Sequence, residues 1–545
     1  MSQKVDLELN RWKEENHRRI ENERIEYFGP LYMWIKNWVG PLPNLRDHFR
    51  KDQIENILKG AVECSEVDII RFVIKCGYKD VPDVDKDGKS VLRRSTPVHF
   101  ADRYGLERYH LLDDLFKIYD KFDVNYVDEN EVTHFHVACK ANCKYVVEKF
   151  LELGQDPNCR GQKSTNSPLY SAVSCGRKWE VELLLRRGAD PNLANAEGLT
   201  PLHAICNIQY LYDYYTPPND RLTQFDILKY FLEINDEIQQ TVHVNAQDKE
   251  GNTPLHLALR IGRKEVIEYL LGRGADPNLA NDKGFTPLHT ICNHWEDRHV
   301  LMKTFFKVCK AKRQLVQVDA RDKSGLTPLQ WAVACLSLKT VDVLLKNGAD
   351  LSSFVLPTTD HFCQVLNSRT RFYHFQSDLA ASAMELVELL TNREYELDRG
   401  DALTIMELFA KYGLFQKSED LDNRWYDEDW RFVAKAKKIK INSSQSLYDL
   451  IQLRPEEAAR RFARADLLKF GHSKKLRDLH IEEREACYVH LCETLSRRFF
   501  LRWAGPSLWQ VVHYRLPILC CEMINEVLMN EDLRNICLTA ERLSS

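Results

Sequence analysis

The sequence predicts an all-α fold: a solenoid of stacked helix–turn–helix units joined by β-hairpin loops, followed by a helical C-terminal domain. Three observations predict it. A helix-start signature recurs along the chain as "STPVHFA", "VTHFHVA", "NSPLYSA", "LTPLHAI", "NTPLHLA", "FTPLHTI" and "LTPLQWA". The steps from Ser167 to Thr200 and from Thr253 to Thr286 are both 33 residues, and self-similarity at that period marks stacked supersecondary units. After the last signature, "LAASAMELVELLTNREYELDRGDALTIMELFAKYGLF" still reads as paired helices, although the repeated pattern has gone.

Bulk properties allow this and exclude little else. A chain of 545 residues accommodates several domains, and 44% hydrophobic with 29% charged residues is ordinary for a buried core. A formal charge of −4 gives no reason to expect nucleic acid as a partner. The sixteen cysteines are scattered singly through helical patterns and no leader-like start is present, so reduced thiols in a cytosolic or nuclear protein are expected. "YFGPLYMWIKNWVGPLP" is too short to span a bilayer. It reads as a cap in which Trp34 and Trp38 pack on the first unit; lying on a membrane surface is the alternative.

The unit Gln247–Asn278 gives each letter a mechanical reason. Thr253 suits the N-cap and Pro254 the first helical position, where its missing N–H costs nothing. Leu255, Ala258, Val266, Ile267, Leu270 and Leu271 fall on helical spacing as the seam between neighbours. Gly274 supplies the left-handed residue that ends the second helix, and "ADPN" turns the chain toward the next hairpin. At almost every position this unit resembles the ankyrin repeat. The resemblance implies a surface of hairpin tips and adjoining inner helices that binds another protein.

Two near-identical strings, "RRGADPNLANAEGLTPLHAICN" from Arg186 and "GRGADPNLANDKGFTPLHTICN" from Gly272, divide framework from surface. They differ at Arg186/Gly272, Ala196/Asp282, Glu197/Lys283, Leu199/Phe285 and Ala204/Thr290. Three of those pairs lie at the hairpin tips, which are expected to face solvent free of packing duty. The expected target contacts are Ala196, Glu197 and Leu199; Lys249, Glu250 and Asn252 with Arg260; Asp282, Lys283 and Phe285; and Lys323, Ser324 and Leu326. A twelve-residue insertion around "IQYLYDYYTPPNDRLTQ" adds Tyr210, Tyr212, Tyr214 and Tyr215, which either bind or pack over the second helix. The expected domains are a helical cap at 1–50, seven or eight repeats over 51–350, a helical continuation or linker over 351–440, and a helical domain at 441–545.

No phosphate-cradling loop, zincin helix, nucleophile elbow or paired CxxC occurs, so neither an enzyme nor a cofactor is expected. His203, His256 and His289 each lie in a separate unit, so they are expected to hydrogen-bond across hairpin and inner helix and to hold no metal. "HWEDRH" at His294 reads as a solvated loop, Cys520 and Cys521 as buried small side chains, and "RPEEAARRFARADLLKFGHSKKLRD" as a solvated helix face.

In "HYRLPILCCEMINEVLMNEDLRNICLTA", Pro517 fits a first helical turn, and Leu516, Cys520, Ile524, Val527 and Leu528 form one apolar stripe. Asn530 would cap a following helix carrying Leu533, Ile536 and Cys537. The order "LP", isoleucine, leucine, "DL" resembles the core of an F-box, and the stretch from "SLYDLIQLRPEEAARRF" onward resembles the PRANC domain, a poxvirus-type module found after ankyrin arrays. The resemblance implies that Leu516, Pro517, Ile524, Leu528, Asp532 and Leu533 dock a Skp-type adaptor of a cullin–RING ubiquitin ligase. Few residues follow Asp532, so a full third F-box helix is expected to be incomplete. The alternatives are a monomeric ankyrin protein that masks a signalling or transcription factor by occupancy, and a passive scaffold. In those readings the tail helices cap the solenoid.

Overall fold

The computed structural model describes residues 42–160, 166–208, 223–294, 296–370, 375–415 and 429–544, together with Ile35 and Trp38. The tyrosine-rich insertion, Trp34 and most of the expected N-terminal cap lie outside them. Two compact units form, Met1–Asp282 and Lys283–Ser545.

In the first unit α1 (Leu45–His48) precedes the pairs α2 (Lys51–Glu63) and α3 (Val67–Lys75), and α4 (Pro97–Arg103) and α5 (Leu112–Leu115). Then follow α6 (His134–Ala141) and α7 (Lys144–Glu152), α8 (Pro168–Ser174) and α9 (Lys178–Arg186), α10 (Pro201–Cys206) and α11 (Gln224–Glu237), and α12 (Pro254–Ile261) and α13 (Lys264–Gly272). The first helices of the pairs pack in sequence, each on the next from α2 to α12, and the second helices form a parallel row in which α9, α11 and α13 touch in turn. Leu255, Ala258, Val266, Ile267, Leu270 and Leu271 are all buried in this seam, as their spacing predicts. At the N-terminal end Trp38 meets Phe72 edge-on, with ring centroids 5.7 Å apart.

The start of most inner helices is a two-residue device. Thr200 Oγ1 accepts the His203 N–H, and His203 Nδ1 accepts the Thr200 N–H at 3.1 Å. With Nδ1 accepting, the ring proton sits on Nε2, which donates to the Asn252 carbonyl of the following unit at 3.1 Å. Cap and inter-repeat tie are thus one side chain, and two orphaned groups of the helix start are satisfied. In the second unit His289 repeats it, with the Thr286 N–H at 3.2 Å and the Leu326 carbonyl at 3.2 Å. Gln330 does the same with an amide: its Oε1 accepts the Thr327 N–H at 2.8 Å, and its Nε2 donates to the Val355 carbonyl at 2.9 Å.

A second ladder runs through the "ADPN" asparagines. Asn192 Oδ1 accepts the His243 N–H at 2.7 Å while its amide donates to the Thr241 carbonyl at 2.7 Å. Asn158 and Asn245 do the same to the units that follow them. The hairpins are turns with isolated bridges, such as Val84 with Ser90, and no strand forms among the described residues.

The second unit continues the alternation through α14 (Pro287–Cys292) and α15 (His299–Ala311), α16 (Pro328–Ala334) and α17 (Leu338–Lys346), α18 (Thr359–Leu366) and α19 (Phe375–Thr391), and α20 (Arg399–Lys411). Helices α14, α16, α18 and α20 form one row, and α15, α17 and α19 the other. Thr358 and His361 cap α18 with the same reciprocal bonds, although Thr359 stands at the first helical position in place of proline. Among the described residues four short helices follow, α21 (Trp430–Lys438), α22 (Leu447–Ile451), α23 (Pro455–Arg461) and α24 (Arg464–Gly471), then the 31-residue α25 (Ile481–Val511), α26 (Ile518–Val527) and α27 (Asn530–Ser544). Helix α25 is the axis of this region and packs against α19, α23, α24, α26 and α27.

Candidate interaction surfaces

Three of the hairpin tips are Asx turns, each built by one side chain. Asn195 Oδ1 accepts the N–H groups of Glu197 and Leu199, both at 2.9 Å; Asp248 accepts those of Glu250 and Asn252 at 2.9 and 2.8 Å; Asp322 accepts those of Ser324 and Leu326 at 2.8 and 2.9 Å. The tips then bond to one another. In the first unit the Lys249 N–H donates to the Glu197 carbonyl at 2.9 Å, and the Asp282 N–H to the Glu250 carbonyl at 2.9 Å. In the second unit the Lys323 N–H donates to the Lys283 carbonyl at 3.0 Å. Such close approach requires glycine: a Cβ on Gly251 would stand 2.6 Å from the Asp282 nitrogen, and its φ of +75° disfavours any side chain.

This ladder presents the side chains of Ala196, Glu197, Lys249, Glu250 and Asp282 in the first unit, with Arg260 on the adjoining helix bonded to Asn207 at 3.0 Å. In the second unit Lys283, Lys323 and Ser324 are exposed. The other four expected contacts lie on the returning arm, where the chain turns back into the helix. Asn252 and Leu326 are buried, and their carbonyls receive His203 and His289. Leu199 is half-buried. Phe285 is half-buried too, stacked on His289 at 5.6 Å and edge-on to Trp331 at 5.3 Å. The expectation that all the variable tip letters are free of packing duty is therefore corrected at the Leu199/Phe285 position.

His203, His256 and His289 are all buried in their caps, and burial lowers the pKa of His203 and His289. Among the described residues no cluster of three or more His, Cys, Asp or Glu is placed to hold a metal ion. "HWEDRH" is not a solvated loop. His294 Nε2 meets Arg298 at 2.6 Å, and Asp297 accepts from the Thr340 hydroxyl at 2.7 Å, tying the segment to α17. Burial and Arg298 push His294 down to about 4. Of the adjacent cysteines Cys521 is buried and Cys520 exposed, a correction that follows from α26 touching the body along one narrow edge. The arginine-rich stretch is partly tied down, with Arg464 paired to Glu388 and Arg460 to Glu526.

That edge makes the second surface. Only Cys521 and Asn525 of α26 are buried; Leu519, Met523 and Val527, at every fourth position, are 68%, 70% and 70% exposed. Ile518, Ile524 and Leu516 extend the patch. Pro517 is the residue before α26 and is exposed, Leu528 is half-buried, and Leu533 is fully buried in α27. Asp532 accepts the Met529 N–H at 3.1 Å, so it caps α27 in place of Asn530. Asn530 is instead buried against α25, where its side chain bonds Arg497, Ser496 and the Glu493 carbonyl. Arg497, itself buried, also donates to the carbonyls of Asn525 and Glu526 at 3.1 and 3.0 Å. This clamp fixes α26 at its C-terminal end and leaves its apolar face turned outward. Leu519 and Met523 were missed from the sequence, although their i, i+4 spacing with Val527 was readable.

Comparison with known proteins places these features. A family model for ankyrin repeats, given in three copies, matches residues 98–195, 181–281, 221–310 and 273–354. The human transient receptor potential cation channel subfamily A member 1 is 27% identical over 281 residues, 50% of this chain and 22% of the channel. Two fowlpox virus ankyrin repeat proteins match: FPV230 is 27% identical over 30% of this chain and 95% of its own length, and FPV031 is 25% identical over 36% and 54%. Ankyrin repeats indicate a role in protein–protein interaction, which is what a ladder of outward tips on a hydrogen-bonded frame can serve. Residues 98–354 of this chain are ankyrin repeats.

Proposed function

We propose that the protein is an adaptor, acting in the cytoplasm or nucleus, that carries a target protein to a ubiquitin ligase. The target is bound by the hairpin tips and inner helices of the ankyrin repeats. A Skp-type adaptor of a cullin–RING ligase is recruited by the C-terminal helices. The observation that supports the second half is the outward apolar face of α26, which follows the "LP" of the F-box-like signature. Apolar side chains held in solvent by a buried polar clamp are what a partner's groove would cover.

Copurification tests it. The full chain should bring down a Skp-type adaptor and a cullin, and Leu519→Asp with Met523→Asp should abolish that capture while the circular dichroism of the chain is unchanged. If the wild-type chain captures neither protein, the ligase reading is lost. Retained biological effect after deletion of α26 and α27 would favour action by occupancy.

A further inference from the structure

We propose that α21 and the turn beside it form a docking surface for an anionic lipid bilayer, independent of both protein-binding surfaces. The segment from Trp430 to Lys440, "WRFVAKAKKIK", carries five cations and no acid. Phe432 and Ala436 bury one face of α21, so Trp430, Ala434, Lys437 and Lys438 stand on the opposite face, with Trp430 73% exposed. Folding adds charge that the local sequence does not contain. Lys475, 35 residues on, donates to the Lys440 carbonyl at 2.6 Å, which brings the exposed Lys474 and Lys475 to the end of the helix.

Two acids beside the run, Asp429 and Asp449, are held in capping bonds. Asp429 accepts the Arg431 and Phe432 N–H groups at 2.8 and 3.2 Å as the cap of α21. Asp449 accepts the Ser446 N–H and hydroxyl, both at 2.7 Å. The chain as a whole is negative, so this is a local positive field on an otherwise acidic protein.

The indole decides between polyanions. A polynucleotide is held by cations lining a groove, with several aromatic faces for successive bases. Here, among the described residues, one exposed indole stands with lysines on an outward helix face, and Lys437 lies over the Tyr448 ring at 4.8 Å. That suits the headgroup layer, where tryptophan sits at the interface and lysine stems reach up to phosphate. No helix among the described residues is long and apolar enough to cross a membrane, so the surface would attach reversibly.

The test is co-sedimentation of the full chain with phosphatidylcholine vesicles containing about one third phosphatidylserine, compared with phosphatidylcholine alone. The wild type should bind the mixed vesicles, and raising salt from about 0.1 M to about 0.5 M should release it. Lys437→Glu with Lys438→Glu should weaken binding at least about tenfold, and Trp430→Ala several-fold, with near-unchanged circular dichroism because all three side chains are exposed. Equal binding to neutral vesicles, or unaltered binding by the lysine double variant, overturns the proposal. So does an RNA oligonucleotide that binds more tightly than the mixed vesicles in the same salt.

Discussion

Glycine at position 251 and glycine at position 274 both have positive φ, +75° and +93°, yet they serve different ends. A methyl on Gly274 would meet nothing within 4 Å, so Gly274→Ala costs only the left-handed conformer, about 1 kcal/mol. A methyl on Gly251 would strike the Asp282 backbone and break the tip ladder, so Gly251→Ala should cost about 2–4 kcal/mol. Urea titration of the two variants compares them; equal losses would show that tip-to-tip approach is not what demands glycine at 251. Glu180 is a different kind of residue. It is fully buried in α9, neither carboxylate oxygen has a hydrogen-bond partner beyond its own backbone amide, and burial pushes its pKa up to about 7. A folded pKa above the ordinary 4.5 means that its contribution is most favourable below pH 4.5 and is lost as pH rises toward 7. Glu180→Gln should therefore stabilise the chain by about 2 kcal/mol at pH 7.5 and flatten the stability profile between those limits. A profile identical to that of the wild type would refute this assignment.

Helices in this chain are short, and what holds them is mostly at their ends. The threonine–histidine caps at His203 and His289 join their inner helices to the following repeat, and Gln330 preserves both bonds because an amide offers the same acceptor and donor as a neutral imidazole. Near the start of the long axial helix α25, a different tie links α19 to the end of α24. His472 Nδ1 meets Asp378 at 2.7 Å and its Nε2 meets Glu385 at 3.2 Å, and hydrogen bonds from these carboxylates raise its pKa to about 9. Here the folded pKa exceeds the ordinary 6.5, so the stabilisation is complete below pH 6.5 and disappears as pH climbs through about 9. Thermal unfolding of His472→Gln should lack that alkaline decline, with the largest difference from wild type at pH 6 and little at pH 10. Helix α26 inverts the usual economy of a short helix, with its polar residues Asn525 and its clamp inside and its leucine and methionine outside.

At the scale of the molecule, the proposed function divides along the chain. Framework residues recur in every unit, whereas the tip letters vary, so the two protein-binding surfaces should fail separately. Glu197→Ala, Lys249→Ala and Glu250→Ala together should lower capture of the target protein about tenfold or more without touching recruitment through α26. Leu519→Asp with Met523→Asp should do the reverse. Quantitative pulldown of both partners from the same variants checks this; loss of both captures in either variant would mean that the two surfaces are one.

Sequence by itself determined the repeats: the period, the caps at Thr200, Thr253 and Thr286, the buried seam and the exposed tip positions other than Leu199, Asn252, Phe285 and Leu326. Each of these is set within a few residues by propensity and spacing, and is then repeated until it cannot be missed. Tertiary structure alone decided the rest. It showed that Phe285 packs on Trp331, that Asn192 and Asn245 tie consecutive repeats together, that Thr358 and His361 repeat the cap without proline at the first helical position, and that Lys475 joins the basic run of α21. It also showed that an apolar stripe, which ordinarily means core, stands in solvent on α26 because Arg497, 28 residues before Asn525, holds the carbonyls at its far end. Periodicity states that a helix has an apolar face; only the partners brought to it by folding determine whether that face is covered.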